Sequence, residues 1–310
     1  MSKVAYLFPG QASQYVGMGR ELYEKSERVR GFYRQASDLV GDDLARISFE
    51  GPAELLKRTL FTQPAILVHS LALLELGEGK LPPCAYAAGH SLGEYAALAA
   101  CGAMSFEDAI TAVCTRARLM EQACLDRPGT MAAILALPEE KLDMVCRSAS
   151  AKGIVGMANI NSALQIAVSG EWPAVEEACR LALEAGAKRA IMLEVGGAFH
   201  SPLMASAVPG MTECLNKITI HDGRQPIVAN VTGQPAQKAA DIRRLLIEQI
   251  TAPVRWRDIM TCLRSEQVDT VIEIGPGKVL TGLAKREMPG AALYNVDTPA
   301  DLEEITAKVA

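Results

Sequence analysis

In the stretch CAYAAGHSLGEYAALAACG, Cys84 to Gly102, a serine stands between two glycines where a small apolar run passes into a helical pattern. A protein core needs neither the glycines nor the polar residues around Ser91. Gly89 to Gly93 fit G-x-S-x-G, in which a serine occupies a sharp turn between a strand and a helix. The glycines allow the two elements to approach and leave the hydroxyl exposed. A helix that starts at the serine offers free N–H groups and the positive end of its dipole to a developing oxyanion. Five residues with three fixed common types also arise by chance. A strand before and a helix after are the context that the motif requires.

A serine hydroxyl is a weak nucleophile and needs a base. The chain has 4 histidines. His69 lies in AILVHSLALL, a helical apolar pattern, and reads as a core or helix-face residue. His221 lies in the polar turn ITIHDGRQP and reads as exposed. His90 is next to Ser91 in sequence, so it points away from it and could line the pocket. His200, in EVGGAFHSPLM, follows a strand at a domain boundary, a common place for pockets. By elimination His200 is the best base. The turn FPGQASQ could supply a main-chain N–H near Gln11, and Leu92 a second. Two such groups that converge make an oxyanion hole, although Pro9-Gly10 reads more simply as a plain turn. Arg116, in CTRARLMEQ, shares a helix face with Ala112 and Met120. Its fork could clamp a carboxylate. The simpler reading is a surface arginine whose stem lies on apolar neighbours.

The elements that must position these groups alternate. KVAYLFPG reads as a buried strand ended by Pro9-Gly10, and GMGRELYEKSERVRGFYRQASDLVG as a helical region. TQPAILVHSLALLELGEG is a helix, CAYAAGH a strand and SLGEYAALAACGAM a helix. SFEDAITAVCTRARLMEQACL is a helix capped by Ser105, with Asp108 three residues later. This alternation argues for an α/β fold with a largely parallel sheet. From Pro128 to Val195 the order becomes β-α-β-β-α-β, a ferredoxin-like unit. It reads as a small domain, residues 128–198, inserted in a large one made of 1–127 and 199–310. The α/β pattern then resumes with PIVANV as a strand, KAADIRRLLIEQI and VRWRDIMTCLRSEQ as helices, TVIEIGPG as a strand and KVLTGLAKRE as a helix.

The totals agree with an enzyme of this kind. The 310 residues are 49% hydrophobic, enough for a sizeable core, and carry a formal net charge of −5. A nucleic-acid binder would show a basic excess. The 8 cysteines are scattered. They have no CxxC pair or zinc spacing, and read as buried apolar residues of a reducing compartment. The N-terminus lacks a signal-peptide pattern. The stretch around Ser91, taken as the longest apolar run, is too interrupted to span a bilayer. The expectation is a cytoplasmic protein that binds neither nucleic acid nor membrane.

Four stretches taken together, FPGQASQ, GHSLGEYAAL, GAFHSPLM and IEIGPGKVLTGLAKR, resemble one family. They are similar to malonyl-CoA:acyl-carrier-protein transacylases and to the acyltransferase domains of polyketide and fatty acid synthases. Their order fits along nearly the whole chain. The resemblance implies an α/β-hydrolase-like core with an inserted ferredoxin-like subdomain. It makes Ser91 the acyl acceptor and His200 its base, with Gln11 and Leu92 donating to the oxyanion. Gln249 would orient the histidine through its main-chain carbonyl, in place of a carboxylate. Arg116 would pair with the free carboxylate of the malonyl group. Asn161, Gln165 and Arg189 would lie where the family approaches coenzyme A. Phe199 resembles the malonyl-selective form of the motif, in which a ring crowds a branching methyl group. The chain departs from the pattern at Ala12, where many members have glycine, and at Gly197, where synthase domains often have histidine.

The implied reaction is ping-pong acyl transfer from malonyl-CoA, through a serine ester, to the phosphopantetheine thiol of an acyl carrier protein. It needs no permanently bound cofactor and no metal. Carrier proteins are generally acidic, so docking needs a local basic patch, to which Lys188, Arg189, Lys278, Lys285 and Arg286 could contribute. A serine hydrolase would want an HGGG loop, which is absent, and a triad acid such as Asp126 or Asp143. A non-catalytic docking subunit needs none of Ser91, His200 and Arg116. A trans-acting polyketide-synthase acyltransferase or a malonate-decarboxylase acyltransferase would share the same residues.

Overall fold

The computed structural model of the chain describes residues 2–309. Ten strands form two sheets: β1 Val4–Phe8, β2 Cys84–Gly89, β3 Thr130–Leu135, β4 Val155–Ser162, β5 Gln165–Gly170, β6 Arg189–Met192, β7 Ile227–Val228, β8 Pro235–Ala236, β9 Thr270–Ile274 and β10 Ala292–Val296. The larger sheet has the order β10-β9-β1-β2-β7-β8. It is parallel from β10 through β7, and only the β7–β8 pair is antiparallel. The smaller sheet, β4-β5-β3-β6, is antiparallel throughout.

β1 lies near the centre of the larger sheet, and all five of its residues are buried. A continuous apolar run is what a strand covered on both faces requires. Side chains alternate across a strand. Val4, Tyr6 and Phe8 therefore enter the main core, with the helix Thr59–Leu76 and the long helix Phe106–Asp126, while Ala5 and Leu7 enter a second core around Trp256, Ile259 and Leu263. Thr59–Leu76 is the helix long and apolar enough to cross a membrane, and 78% of it is buried inside the protein.

The smaller sheet has its own core, with Ile134, Leu142, Val145, Ile166, Val168 and Ala178 packed together. It is tied to the larger body beside the site. The Val254 N–H donates to the Ala158 carbonyl, and the Ile160 N–H donates to the Val254 carbonyl, both at 2.8 Å.

The expected helical region near the N-terminus is two helices, Arg20–Lys25 and Glu27–Val40. Ser26 breaks it because its backbone is extended and its hydroxyl caps the second helix by accepting from the Val29 N–H. The expected cap at Ser105 forms, with the Asp108 N–H 3.0 Å from Oγ. The strand expected over PIVANV shortens to two residues. The edge strand β10, the helix Ala207–Lys217 and the helix Pro299–Val309 were not anticipated from the sequence.

Candidate active site

β2 ends at Gly89, and the elbow helix Gly93–Ala100 starts four residues later. A Cβ on Gly89 would lie 1.9 Å from the Gly93 carbonyl carbon, and one on Gly93 would lie 2.3 Å from the Phe8 carbonyl oxygen. Only glycine permits this crossing. Between them Ser91 has φ 53°, left-handed backbone that costs a non-glycine residue about 1–3 kcal/mol. The side chain of Asn230 braces the turn. Its Oδ1 accepts from the Ser91 N–H at 2.7 Å, and its Nδ2 donates to the Gly89 carbonyl at 2.6 Å.

His200 meets the serine. The Ser91 hydroxyl lies 2.8 Å from His200 Nε2. On the far side of the ring, Nδ1 lies 2.9 Å from the Gln249 carbonyl and 3.1 Å from the Ala252 carbonyl. Carbonyls only accept, so Nδ1 carries the proton and Nε2 is left as the acceptor for the hydroxyl. Burial, reinforced by the Arg116 charge, pushes the His200 pKa down from 6.5 to about 3, so the imidazole is neutral at neutral pH. Its own φ is 56°. Among the described residues no carboxylate is hydrogen-bonded to the ring: Asp126 accepts from Gln122, and Asp143 pairs with Arg147. The loop that supplies both carbonyls ends at Val254, the residue pinned by β4, so the smaller sheet helps to set the histidine.

Arg116 is not a surface arginine. It is 1% exposed. The long helix carries it to the inner end of the site, where Nη2 donates to Ser91 Oγ at 2.9 Å and to Gln249 Oε1 at 3.0 Å, and Nη1 donates to Gln63 Oε1 at 2.7 Å. Its Nε is buried without a partner. The reading as a surface residue fails because Ala112 and Met120, which share its helix face, pack into the core and take the arginine with them.

A cavity of about 510 Å³ opens onto Ser91 and His200. Gln11, His90, Met120, Asn161, Gln165 and Phe199 line it, as do Gln63 and Asn159, which were not anticipated. His90 Nε2 donates to Asn161 Oδ1 at 2.9 Å, and its ring leans on Trp256. Burial lowers the His90 pKa. Among the described residues the main-chain N–H groups of Gln11 and Leu92 have no acceptor, so both are free for a ligand oxygen. Arg189 is exposed on the edge strand β6 and does not line the cavity. Lys278 and Arg286 do line it. His69 is buried in its helix and bonded to Asp297, while His221 is exposed. Among the described residues no group of three or more His, Cys, Asp or Glu is placed to hold a metal ion.

Sequence reading missed Asn230, which looked like part of a strand, and Glu94, which looked like a polar interruption. Glu94 is 1% exposed. Its Oε2 accepts from Gln249 Nε2 at 2.5 Å, and its Oε1 from the Asn230 N–H at 3.3 Å. Its place in the first turn of the elbow helix, where an acidic side chain is stabilised, was the available signal.

Known proteins resemble the chain over nearly its whole length. The chain is 44% identical over 305 residues to the malonyl CoA-acyl carrier protein transacylase of Bacillus subtilis, covering 98% of this chain and 96% of that protein. Its structure matches an acyl carrier protein S-malonyltransferase from Vibrio cholerae with a TM-score of 0.92 at 38% identity, covering 98% of this chain and all of the other. It matches equally well, at 37% identity with 99% and 100% coverage, a malonyl-transacylase solved in complex with a type II PKS acyl-carrier protein. The family model described as an acyl transferase domain matches residues 5–293, and with these relatives it shows that the chain belongs to the acyl transferase family.

Proposed function

We propose that this protein transfers a malonyl group from coenzyme A, through an ester on Ser91, to the phosphopantetheine thiol of an acyl carrier protein. One observation carries the choice of acyl group: a buried guanidinium lies 2.9 Å from the nucleophilic oxygen. A cation so placed favours an acyl group that ends in a carboxylate, since its fork can pair directly with a carboxylate beside the ester and finds no such partner in a neutral acyl chain. The named relatives act on malonyl-CoA and an acyl carrier protein, which supports the same substrates here.

In the first half-reaction Ser91 Oγ attacks the thioester carbonyl while His200 Nε2 takes its proton. The two Nδ1 acceptors, Gln249 and Ala252, stabilise the imidazolium that forms. The free N–H groups of Gln11 and Leu92 would hold the tetrahedral oxyanion. The carbon–sulfur bond then breaks, and His200 returns the proton to the coenzyme A sulfur. The second half-reaction runs the same steps with the carrier thiol as nucleophile and Ser91 as leaving group. Arg116 holds the malonyl carboxylate in both. Phe199 and Met120 crowd the acyl pocket, and His90, Asn161 and Gln165 lie along the thioester approach. No resident cofactor enters this scheme.

The strand order of the smaller sheet, second-third-first-fourth in chain order, supports a ferredoxin-like insert over residues 128–198. The parallel sheet with its nucleophile elbow supports an α/β-hydrolase-like body from 1–127 and 199–310. The exposed bases Lys278 and Arg286 at the cavity mouth, with Lys285 beside them, fit an acidic carrier domain. The test is intact-protein mass spectrometry after brief exposure to malonyl-CoA. A malonyl increment on the native chain and none on Ser91→Ala is expected. Free malonate with no increment at any time would overturn the assignment in favour of hydrolysis.

A further inference from the structure

The mechanism above gives Glu94 no task, yet it is a buried carboxyl whose charge acts on Arg116. It reaches the guanidinium through one side chain. Gln249 Nε2 donates to Glu94 Oε2 at 2.5 Å and to the Ser91 carbonyl at 3.0 Å. With its nitrogen held by two acceptors, the amide must turn Oε1 toward Arg116 Nη2, 3.0 Å away. Glu94 thus fixes which end of Gln249 the arginine meets. Its other oxygen accepts from the Asn230 N–H. Both oxygens face donors, as suits a carboxylate, while the absence of water favours the neutral acid. The charged or titratable groups facing it are Arg116 from the long helix and Tyr95 beside it on the elbow helix, with His200 across Ser91.

We propose that Glu94 is the resident counter-charge of Arg116, and that it takes up a proton when the carboxylate of the acyl group pairs with that guanidinium. The inference rests on the malonyl-transfer reading. Burial pushes the Glu94 pKa up from 4.5 to about 7, against the hydrogen bonds from Gln249 and Asn230 and the attraction of Arg116. The carboxyl is therefore poised near neutral pH. An incoming carboxylate occupies Arg116 and adds a second negative charge to the same enclosed space. Both changes favour the protonated acid. Glu94 then keeps accepting from Gln249 through its remaining carbonyl character, so the amide stays in place. It acts through Gln249 and touches no reacting atom, which makes it a positioning residue.

Acyl loading itself is proton-neutral, since the Ser91 proton ends on the coenzyme A sulfur. Any uptake near pH 7.5 therefore reports a further group. The protein in excess is mixed with malonyl-CoA in weak buffer containing a pH indicator, and malonyl-enzyme is counted by intact mass. A substantial fraction of one proton per malonyl-enzyme is expected at pH 7.5, and close to none at pH 5, where Glu94 is already protonated. Glu94→Gln should lose the uptake per malonyl-enzyme formed. Equal uptake by Glu94→Gln would assign the proton elsewhere and overturn the proposal. So would no uptake by the native protein at pH 7.5, or undiminished uptake at pH 5, and these two readouts do not depend on the variant folding. A native chain that never gains malonyl would instead refute the functional reading on which the proposal stands.

Discussion

Asn230 is the most exacting test of how the nucleophile is held. Asn230→Ala removes an acceptor 2.7 Å from the Ser91 N–H and a donor 2.6 Å from the Gly89 carbonyl. Asn230 itself is fully buried, so no water replaces either partner without entering a new cavity. Each unpaired buried group costs about 1–3 kcal/mol, giving roughly 4 kcal/mol for the two. A domain with about 5–15 kcal/mol in hand still folds. The released turn then relaxes from its left-handed φ, recovering about 1–3 kcal/mol of strain. That motion carries Oγ away from His200 Nε2, and a displacement of about 1 Å is worth roughly a hundredfold in rate. Urea unfolding measures the first number, and single-turnover malonyl loading, read by mass, measures the second. Asn230→Asp keeps the acceptor for Ser91 but sets a carboxylate against the Gly89 carbonyl, so it should be intermediate in loading. Loss of stability with loading at the native rate would show that the turn holds its shape unaided, and the bracing role would fall.

Arg116→Ala should lower kcat/KM for malonyl-CoA by about 3 kcal/mol, roughly a hundredfold, while acetyl loading is spared. Equal loss of both would sink the clamp. Ala12 has φ 80°, left-handed backbone that favours glycine. Ala12→Gly should therefore stabilise the protein by about 0.5–1 kcal/mol in thermal or urea unfolding, the relief of left-handed strain exceeding the added freedom of the unfolded chain. A destabilised variant would mean that the Ala12 methyl group packs better than its backbone suggests.

What the sequence could reveal depended on where each interaction resides. Ser91 and His200 act through side chains of recognisable type, in a turn whose glycines have one mechanical purpose. Both could be found from residue types alone. The acceptors of His200 Nδ1 are main-chain carbonyls, at Gln249 and Ala252, and any residue type can supply those. Resemblance pointed to Gln249, and nothing pointed to Ala252. Arg116 was ambiguous because a helix face with an alanine and a methionine fits both a surface stem and a buried seam. Only the packing of the long helix on Thr59–Leu76 decides between them. The strand β10 was missed because its residues are half-exposed at the sheet edge, where the period-two signal fades. The β-α-β-β-α-β order could be read because its two helices have strong amphipathic periods between short apolar strands.

Under the proposed function, the electrostatics of the site let one arginine serve both recognition and reaction. Two causes hold His200 in its neutral form, first burial and then the positive charge of Arg116. A neutral Nε2 is the form that can accept the Ser91 proton, but the same charge makes the resulting imidazolium costly. Arg116 also donates to Ser91 Oγ, which stabilises the oxygen as its proton leaves. When an acyl carboxylate pairs with the guanidinium, its repulsion of His200 weakens while its hold on the carboxylate aligns the thioester. The base then gains strength at the moment the right substrate is seated. A neutral acyl group leaves the repulsion in place. Selection of a dicarboxylic acyl group thus comes partly from binding and partly from activation of the base, so discrimination should extend to the chemical step. The two left-handed residues, Ser91 and His200, keep the distance over which this coupling acts short. The bonds from Asn230 and the Gln249–Ala252 loop hold them there at a conformational cost that neither residue could sustain alone.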